Sequence, residues 1–411
     1  MSSPLDEAVA RLAPVVTRTP LERNDRLSSL LHADVWLKRE DLQVVRSYKA
    51  RGAYNMIAAL SPADRARGVV CASAGNHAQG VAFACRALGV GGRVFLPHTT
   101  SRQKIGRIAA IGGDAVAIVM AGDSFDETQI SAVAAAAEIG AVVVPPFDHP
   151  DVIVGQATVA VEIIDQLGRP PDLLVVPTGG GGLLAGQLIA TETLAPLTRV
   201  VGVEPAGAAS MTAALVAGAP VTLDAIDTFV DGASVRRVGD LPFAVVQRRG
   251  ARVVTVPEGQ VCTAMLELYQ SEGLVAEPAG ALAVAALGDP VAVGPDETVV
   301  CIVSGGNNDV SRYGEIIERS LVHEGLKHYF LVRFPQEPGA LRRFLDEVLG
   351  PDDDITLFEY VKKNNRETGP AVVGIELVRR EDLAPLRARM EASPLTIEPI
   401  PPGSPMFAFL V

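Results

Sequence analysis

The chain has 411 residues, too many for one ordinary core, and is 48% hydrophobic and 20% charged, the composition of a soluble globular protein of two or three domains. Its net charge of -12, from 36 basic against 48 acidic residues, argues against nucleic acid or an anionic membrane as partner. The opening MSSPLDEAVARL lacks the apolar stretch of a signal peptide, no apolar run is long enough to span a bilayer, and Cys71, Cys85, Cys262 and Cys301 are scattered among apolar neighbours like core residues, so a reducing cytoplasm is expected.

Up to about residue 320, short apolar strands alternate with Ala-rich helical stretches. Strands are expected over 69–72, 92–96, 142–145, 173–177, 200–204 and 299–304. Helices are expected from near Asn76, over 103–111 and over 184–191. Such alternation reads as parallel sheet covered by helices on both faces, and roughly 300 residues of it suggests two such units. The character changes after Glu324. A period-two strand over 327–334 ends in a Pro-Gly turn over 335–339. A helix over 340–349, an acidic loop over 351–354, and strands over 355–362 and 371–377 separated by a turn over 364–370 follow. A helix over 381–391 and a strand over 395–398 complete a βαββαβ order, the ferredoxin-like split.

Three segments stand where a strand gives way to a loop or helix, the place where open α/β sheets bind ligands. The first holds Lys38-Arg39-Glu40-Asp41 and then Ser47-Tyr48-Lys49-Ala50-Arg51-Gly52. A lysine forms a Schiff base only if its amine lies near a carbonyl and sheds its proton, although a solvated lysine is the commoner case. The second, Ser73-Ala74-Gly75-Asn76-His77-Ala78-Gln79-Gly80, presents small residues and the free N–H groups of a new helix to an anion; Ser73 or Asn76 as a plain helix cap is the alternative. The third, Gly179-Gly180-Gly181-Gly182-Leu183, offers consecutive backbone donors suited to a phosphate. It lacks the Lys-Ser/Thr ending of a P-loop. Gly180, Gly182 and Ala185 also fit the G-x-G-x-x-A of dinucleotide folds, with Glu204 about where a ribose-binding acid is expected.

The combination decides, because a nicotinamide enzyme has no need of the Lys49 segment. With Ser304-Gly305-Gly306-Asn307 as a fourth motif, the set resembles the fold type II pyridoxal-phosphate (PLP) enzymes and, within them, the threonine and serine dehydratases. The resemblance covers nearly the whole chain, with the motifs in the family's order. It implies an α/β catalytic region, tryptophan synthase β-like, of two three-layer subdomains over 1–325. Lys49 would carry the cofactor. Gly179, Gly180, Gly181, Gly182 and Leu183 would bind its phosphate, Asn76 its ring hydroxyl, and Ser304 would face the pyridine nitrogen. Ser73, Gly75, Asn76 and His77 would surround the substrate carboxylate, and the stretch Ala276-Glu277-Pro278-Ala279-Gly280 would form another wall. The freed lysine would take the Cα proton. A neutral Ser304 cannot hold the pyridine protonated as a carboxylate would, which favours prompt elimination over transamination.

Two departures matter. The related racemases carry a serine where this chain has Ala74, so racemisation is expected to be negligible. Some relatives bind a cation at positions matching Glu204, Ala208 and Ser210; the acid expected at the last is missing, so no metal is assigned.

The segment Phe334-Pro335-Gln336-Glu337-Pro338-Gly339-Ala340-Leu341 resembles the α+β ferredoxin-like, ACT-like regulatory domains of biosynthetic threonine dehydratases, here over 326–411. The resemblance implies elimination of water and ammonia from L-threonine, with L-serine as a further substrate, in isoleucine biosynthesis. It also implies feedback by isoleucine, opposed by valine, in a homo-oligomeric dimer or tetramer. The competing readings are a catabolic serine/threonine dehydratase, a non-catalytic amino-acid sensor on the same fold, and a dinucleotide oxidoreductase.

Overall fold

The computed structural model describes residues 2–362 and 366–410, which form two compact units, Met1–Asp309 and Val310–Val411. Residues 364 and 365 of the turn expected over 364–370 lie outside the described residues.

The first unit contains two sheets. A six-stranded sheet runs in the order Leu21–Arg23, Asp34–Arg39, Thr298–Val303, Leu173–Pro177, Arg199–Pro205, Arg252–Val256. Its strands pair in parallel except at the first edge, where Leu21–Arg23 is antiparallel. A four-stranded parallel sheet runs Val116–Met120, Gly92–Leu96, Val69–Ala72, Val142–Val143. The central strands Leu173–Pro177 and Thr298–Val303 are buried at every position, as a parallel sheet covered on both faces requires.

Four strands escape the sequence pattern: Leu21–Arg23, Asp34–Arg39, Val116–Met120 and Arg252–Val256. Asp34–Arg39 is the instructive one, because Lys38 breaks the apolar run and is nevertheless interior. Lys38 is fully buried and bonds Glu162 at 2.6 Å, the Thr19 carbonyl at 2.8 Å and Gln166 at 2.9 Å. Arg51, also fully buried, meets Glu40 at 2.8 Å and Glu162 at 2.7 Å. Two cations thus balance two carboxylates, and removal of any one would leave a buried charge uncompensated. This cluster fastens the helix Lys49–Ala59, and Lys49 at its head, to the sheet.

Glycine then sets the helix spacing. A Cβ on Gly80 would stand 2.8 Å from the Lys49 carbonyl oxygen, so only a residue without one lets the helix Asn76–Leu88 run against the start of Lys49–Ala59.

In the second unit, Tyr313–His323 leads into a sheet ordered Asp354–Tyr360, Thr368–Glu376, Lys327–Pro335, Thr396–Ile400, antiparallel throughout. With the helices Ala340–Glu347 and Leu383–Ala392 between strands, this is the expected βαββαβ split. Phe334, Phe344, Val373 and Leu386 are among its buried core. The division of the chain falls before Tyr313–His323, ahead of the composition change at Glu324. The helix belongs with the second unit because Glu318 on it takes bonds from Lys327 and Tyr329 on the first strand. Composition marks where the sheet begins, whereas packing decides which unit owns the helix.

Candidate active site

All four motifs converge at the carboxyl ends of the parallel strands of the first unit. Ser304 follows Thr298–Val303 and Lys49 follows a short loop after Asp34–Arg39. These two segments are stitched together: Tyr48 N–H donates to the Ser304 carbonyl at 3.1 Å, and Ser47 bridges Gly305.

The Lys49 amine donates to the Pro146 carbonyl at 2.8 Å. Burial strips the ammonium of hydration and pushes its pKa down to about 8, against the Glu277 carboxyl, which pulls the other way. A substantial neutral fraction near physiological pH is what a nucleophilic amine requires. The residue after Pro146, Phe147, packs on the glycine loop, so the lysine and that loop are neighbours.

The loop is built for backbone approach. A Cβ on Gly180 would overlap the Phe147 ring, one on Gly179 would lie 2.6 Å from the Ala233 carbonyl oxygen, and one on Gly182 would lie 2.8 Å from Phe147 Cβ. Gly181 has φ +90°, in the left-handed region that favours glycine, and caps the helix Gly182–Leu194. That helix begins inside the glycine run, ahead of the expected start at residue 184. Among the described residues, none accepts from the N–H groups of Gly179, Gly180, Gly181, Gly182 or Leu183. These are the orphan donors of a helix start, aimed as a group.

At the second motif the helix starts at Asn76 with Gly75 as its cap. Ser73 Oγ accepts from the Gly75 N–H at 3.2 Å, and a Cβ on Gly75 would meet nothing within 4 Å, so this end is open. His77 departs from a substrate-facing role for its imidazole. It is buried, and its Nε2–H donates to the Val144 carbonyl at 2.8 Å. Burial, then the charge of Lys49, holds its pKa down to about 3, so the ring is a neutral clamp between helix and sheet. What His77 offers a ligand is its backbone N–H.

Asn76 lies against Glu277, and Ser304 against Ala279, in the stretch that the sequence marked only as wall. Asn76 Nδ2 donates to Glu277 Oε1 at 2.6 Å, and Asn307 Nδ2 donates to Asn76 Oδ1 at 2.7 Å. Buried Ser304 donates through Oγ to the Ala279 carbonyl at 3.2 Å. Burial, then the nearby Asp231, pushes Glu277 up to about 7, while bonds from Asn76 and the Asn307 backbone draw it back. The available signal was a lone acid in the otherwise apolar run 274–286.

Glu204 is not placed as a ribose acid. Fully buried, its carboxylate accepts from Met211 N–H at 2.6 Å, Thr212 N–H at 2.9 Å and Thr212 Oγ1 at 2.8 Å, and so finishes the start of the helix Ser210–Ala217.

A cradle of unpaired N–H groups beside a lysine whose pKa burial has lowered fits a phosphate-bearing aldehyde. Gly179–Leu183 would hold its phosphate and Lys49 its carbonyl carbon. Comparison with known proteins agrees. The model of the pyridoxal-phosphate dependent enzymes matches residues 12–305, and that of the C-terminal regulatory domain of threonine dehydratase matches residues 318–410. The L-threonine dehydratase biosynthetic IlvA of Mycobacterium tuberculosis is 59% identical over 409 residues, 99% of this chain and 95% of the relative. The processed form of threonine deaminase isoform 2 from Solanum lycopersicum superposes with a TM-score of 0.73 at 38% identity, over 78% of this chain and 88% of that one. Maize serine racemase gives 0.71 at 31% identity, over 78% and 97%. The chain belongs to the pyridoxal-phosphate-dependent enzymes, in the biosynthetic threonine dehydratase family with its C-terminal regulatory domain.

Proposed function

We propose that this chain converts L-threonine to 2-oxobutanoate and ammonia, the entry to isoleucine synthesis, with L-serine as a further substrate. The observation that carries the reading is the buried Lys49 amine, bonded to the Pro146 carbonyl next to the Phe147 that packs on the glycine cradle, in a chain of this family. Pyridoxal phosphate supplies an electron sink for the bonds at the substrate's Cα. Lys49 holds that cofactor and takes the Cα proton. Gly179, Gly180, Gly181, Gly182 and Leu183 bind the phosphate through N–H groups, Asn76 donates toward the ring hydroxyl, and Ser304 stands at the pyridine nitrogen. Ser73 and the N–H groups of Gly75, Asn76 and His77 receive the substrate carboxylate at a helix start. Departure of the β-hydroxyl as water, then hydrolysis of the C–N bond, balances to 2-oxobutanoate and ammonia.

Catalysis belongs to the unit up to Asp309 and amino-acid sensing to the unit from Val310, in a cytoplasmic homo-oligomer. Isoleucine is the inhibitor and valine its antagonist. Such control needs the effector to favour one state by about 1–3 kcal/mol. By linkage, isoleucine binding should weaken when a non-reactive threonine analogue fills the active site. The test joins a visible absorption spectrum and a 2-oxoacid assay on threonine and serine to calorimetry with isoleucine. Absence of a cofactor band or of 2-oxobutanoate sinks the catalytic reading; absence of any amino-acid binding outside the active site sinks the sensing one.

A further inference from the structure

The two amides at the site have their directions dictated from one end. Asn307 Nδ2 donates to the Val45 carbonyl at 2.8 Å, and a carbonyl only accepts, so the nitrogen of Asn307 must be the atom on that side. The same Nδ2 faces Asn76 at 2.7 Å, which requires Asn76 to present its oxygen there. Asn76 therefore turns its nitrogen the other way, where Glu277 Oε1 accepts at 2.6 Å. One of the two Nδ2 protons is taken by the carboxyl, and the other is left for a ligand.

Glu277 is itself held hard. It is buried, its own N–H donates to the Gly305 carbonyl at 3.1 Å, and a Cβ on Gly305 would overlap its carboxyl group. A Cβ on Gly232 would approach it at 3.4 Å. The charged and titratable groups bearing on it come from several elements: Asp231, Lys104, Lys49 and Tyr48. A buried acid that accepts from the Asn307 backbone and from a ligand-facing amide does more than fill space.

We propose that Glu277 is a positioning residue of the cofactor site, which with Asn307 locks the Asn76 amide so that its second N–H is turned to the ring hydroxyl of pyridoxal phosphate. This rests on the placement of Asn76 at the cofactor ring given under the proposed function. Without an acceptor at position 277 the Asn76 nitrogen loses its partner, and the amide is free to turn its donor away from the cofactor. An amide oxygen at 277 accepts as a carboxylate oxygen does, so the role asks for the acceptor and not for the charge.

The experiment titrates apoprotein with pyridoxal phosphate and records the dissociation constant and the position of the visible band for a double-mutant cycle. Glu277→Ala and Asn76→Ala should each weaken retention roughly tenfold, about the worth of one hydrogen bond to the ligand, and shift the band alike. The double variant should lose no more than either single one, since the first residue acts through the second. Glu277→Gln should restore most of the retention. Asn307→Asp, which exchanges the donor facing Asn76 for an acceptor, should reproduce the loss and keeps the test alive if Glu277→Ala does not fold. Additive losses, or wild-type retention in both Glu277→Ala and Asn307→Asp while Asn76→Ala is impaired, overturn the proposal and leave the placement of Asn76 standing. Wild-type retention and spectrum in Asn76→Ala sink that placement, and the proposal with it.

Discussion

Two helices begin at the carboxyl ends of neighbouring parallel strands in the six-stranded sheet, and their N-termini are finished in opposite ways. After Arg199–Pro205, the helix Ser210–Ala217 receives the Glu204 carboxylate onto its first N–H groups. After Leu173–Pro177, the helix Gly182–Leu194 receives nothing from the described residues, and the run Gly179–Gly182 packs so closely on Phe147, Ala233, Met211 and Pro242 that no Cβ fits. A helix start presents N–H groups that seek an acceptor in either case. Where the chain supplies its own acceptor, the start is structural; where donors are left free, as at Gly179–Leu183, they are available to the phosphate proposed above.

The most severe way to break the site leaves that cradle alone. Lys49→Ala removes both the attachment point and the base, so turnover in a 2-oxoacid assay should fall by roughly a thousandfold or more. The visible band of lysine-bound cofactor should vanish with it. If the cradle holds phosphate by itself, pyridoxal phosphate should still titrate into this variant, more weakly and reversibly. Borohydride reduction and peptide mapping that found the pyridoxyl group on another lysine would refute the assignment.

Filling the free cradle comes next. Gly180→Ala drives a methyl into the Phe147 ring, a strain of about 1–3 kcal/mol, so cofactor affinity should drop between roughly tenfold and a hundredfold. Gly106→Ala, outside the site, is the control, because its methyl meets nothing within 4 Å and should leave retention unchanged. Equal losses in the two variants would mean that crowding at the glycine loop does not govern binding.

The occupied helix start should answer to pH instead. Burial pushes Glu204 up to about 7, against the bonds from Met211 and Thr212. The folded state thus holds a proton that the unfolded chain has lost, and its advantage, complete below the ordinary glutamate range, disappears as pH rises through about 7. Wild type should therefore lose stability relative to Glu204→Gln across that window, by up to about 3 kcal/mol in denaturant unfolding. A pH-independent difference between the two proteins would show that Glu204 is already ionised in the acid range.

The smallest expected effect concerns the open end. Ala74 stands where the related racemases carry a serine and has no proton to give, so the wild type should not interconvert L- and D-serine. Ala74→Ser should introduce at most a trace, read by chiral chromatography, and efficient racemisation by the wild type would sink the distinction.

The sequence alone determined the local part of this protein. Strand-to-helix junctions with small residues, the lysine string and the βαββαβ order are written in consecutive residues, since backbone approach to a ligand and strand periodicity are short-range demands. Tertiary structure decided whatever depends on partners far along the chain. It alone paired the strands, buried Lys38 and Arg51 against Glu40 and Glu162, turned the His77 ring to Val144, and gave Tyr313–His323 to the second unit. Glu277 is the sharpest case, 201 positions from the Asn76 that it orients. A carboxyl group in an apolar run announces that a partner exists, but hydrogen bonding and burial depend on which atoms meet in space, and those meetings are properties of the fold.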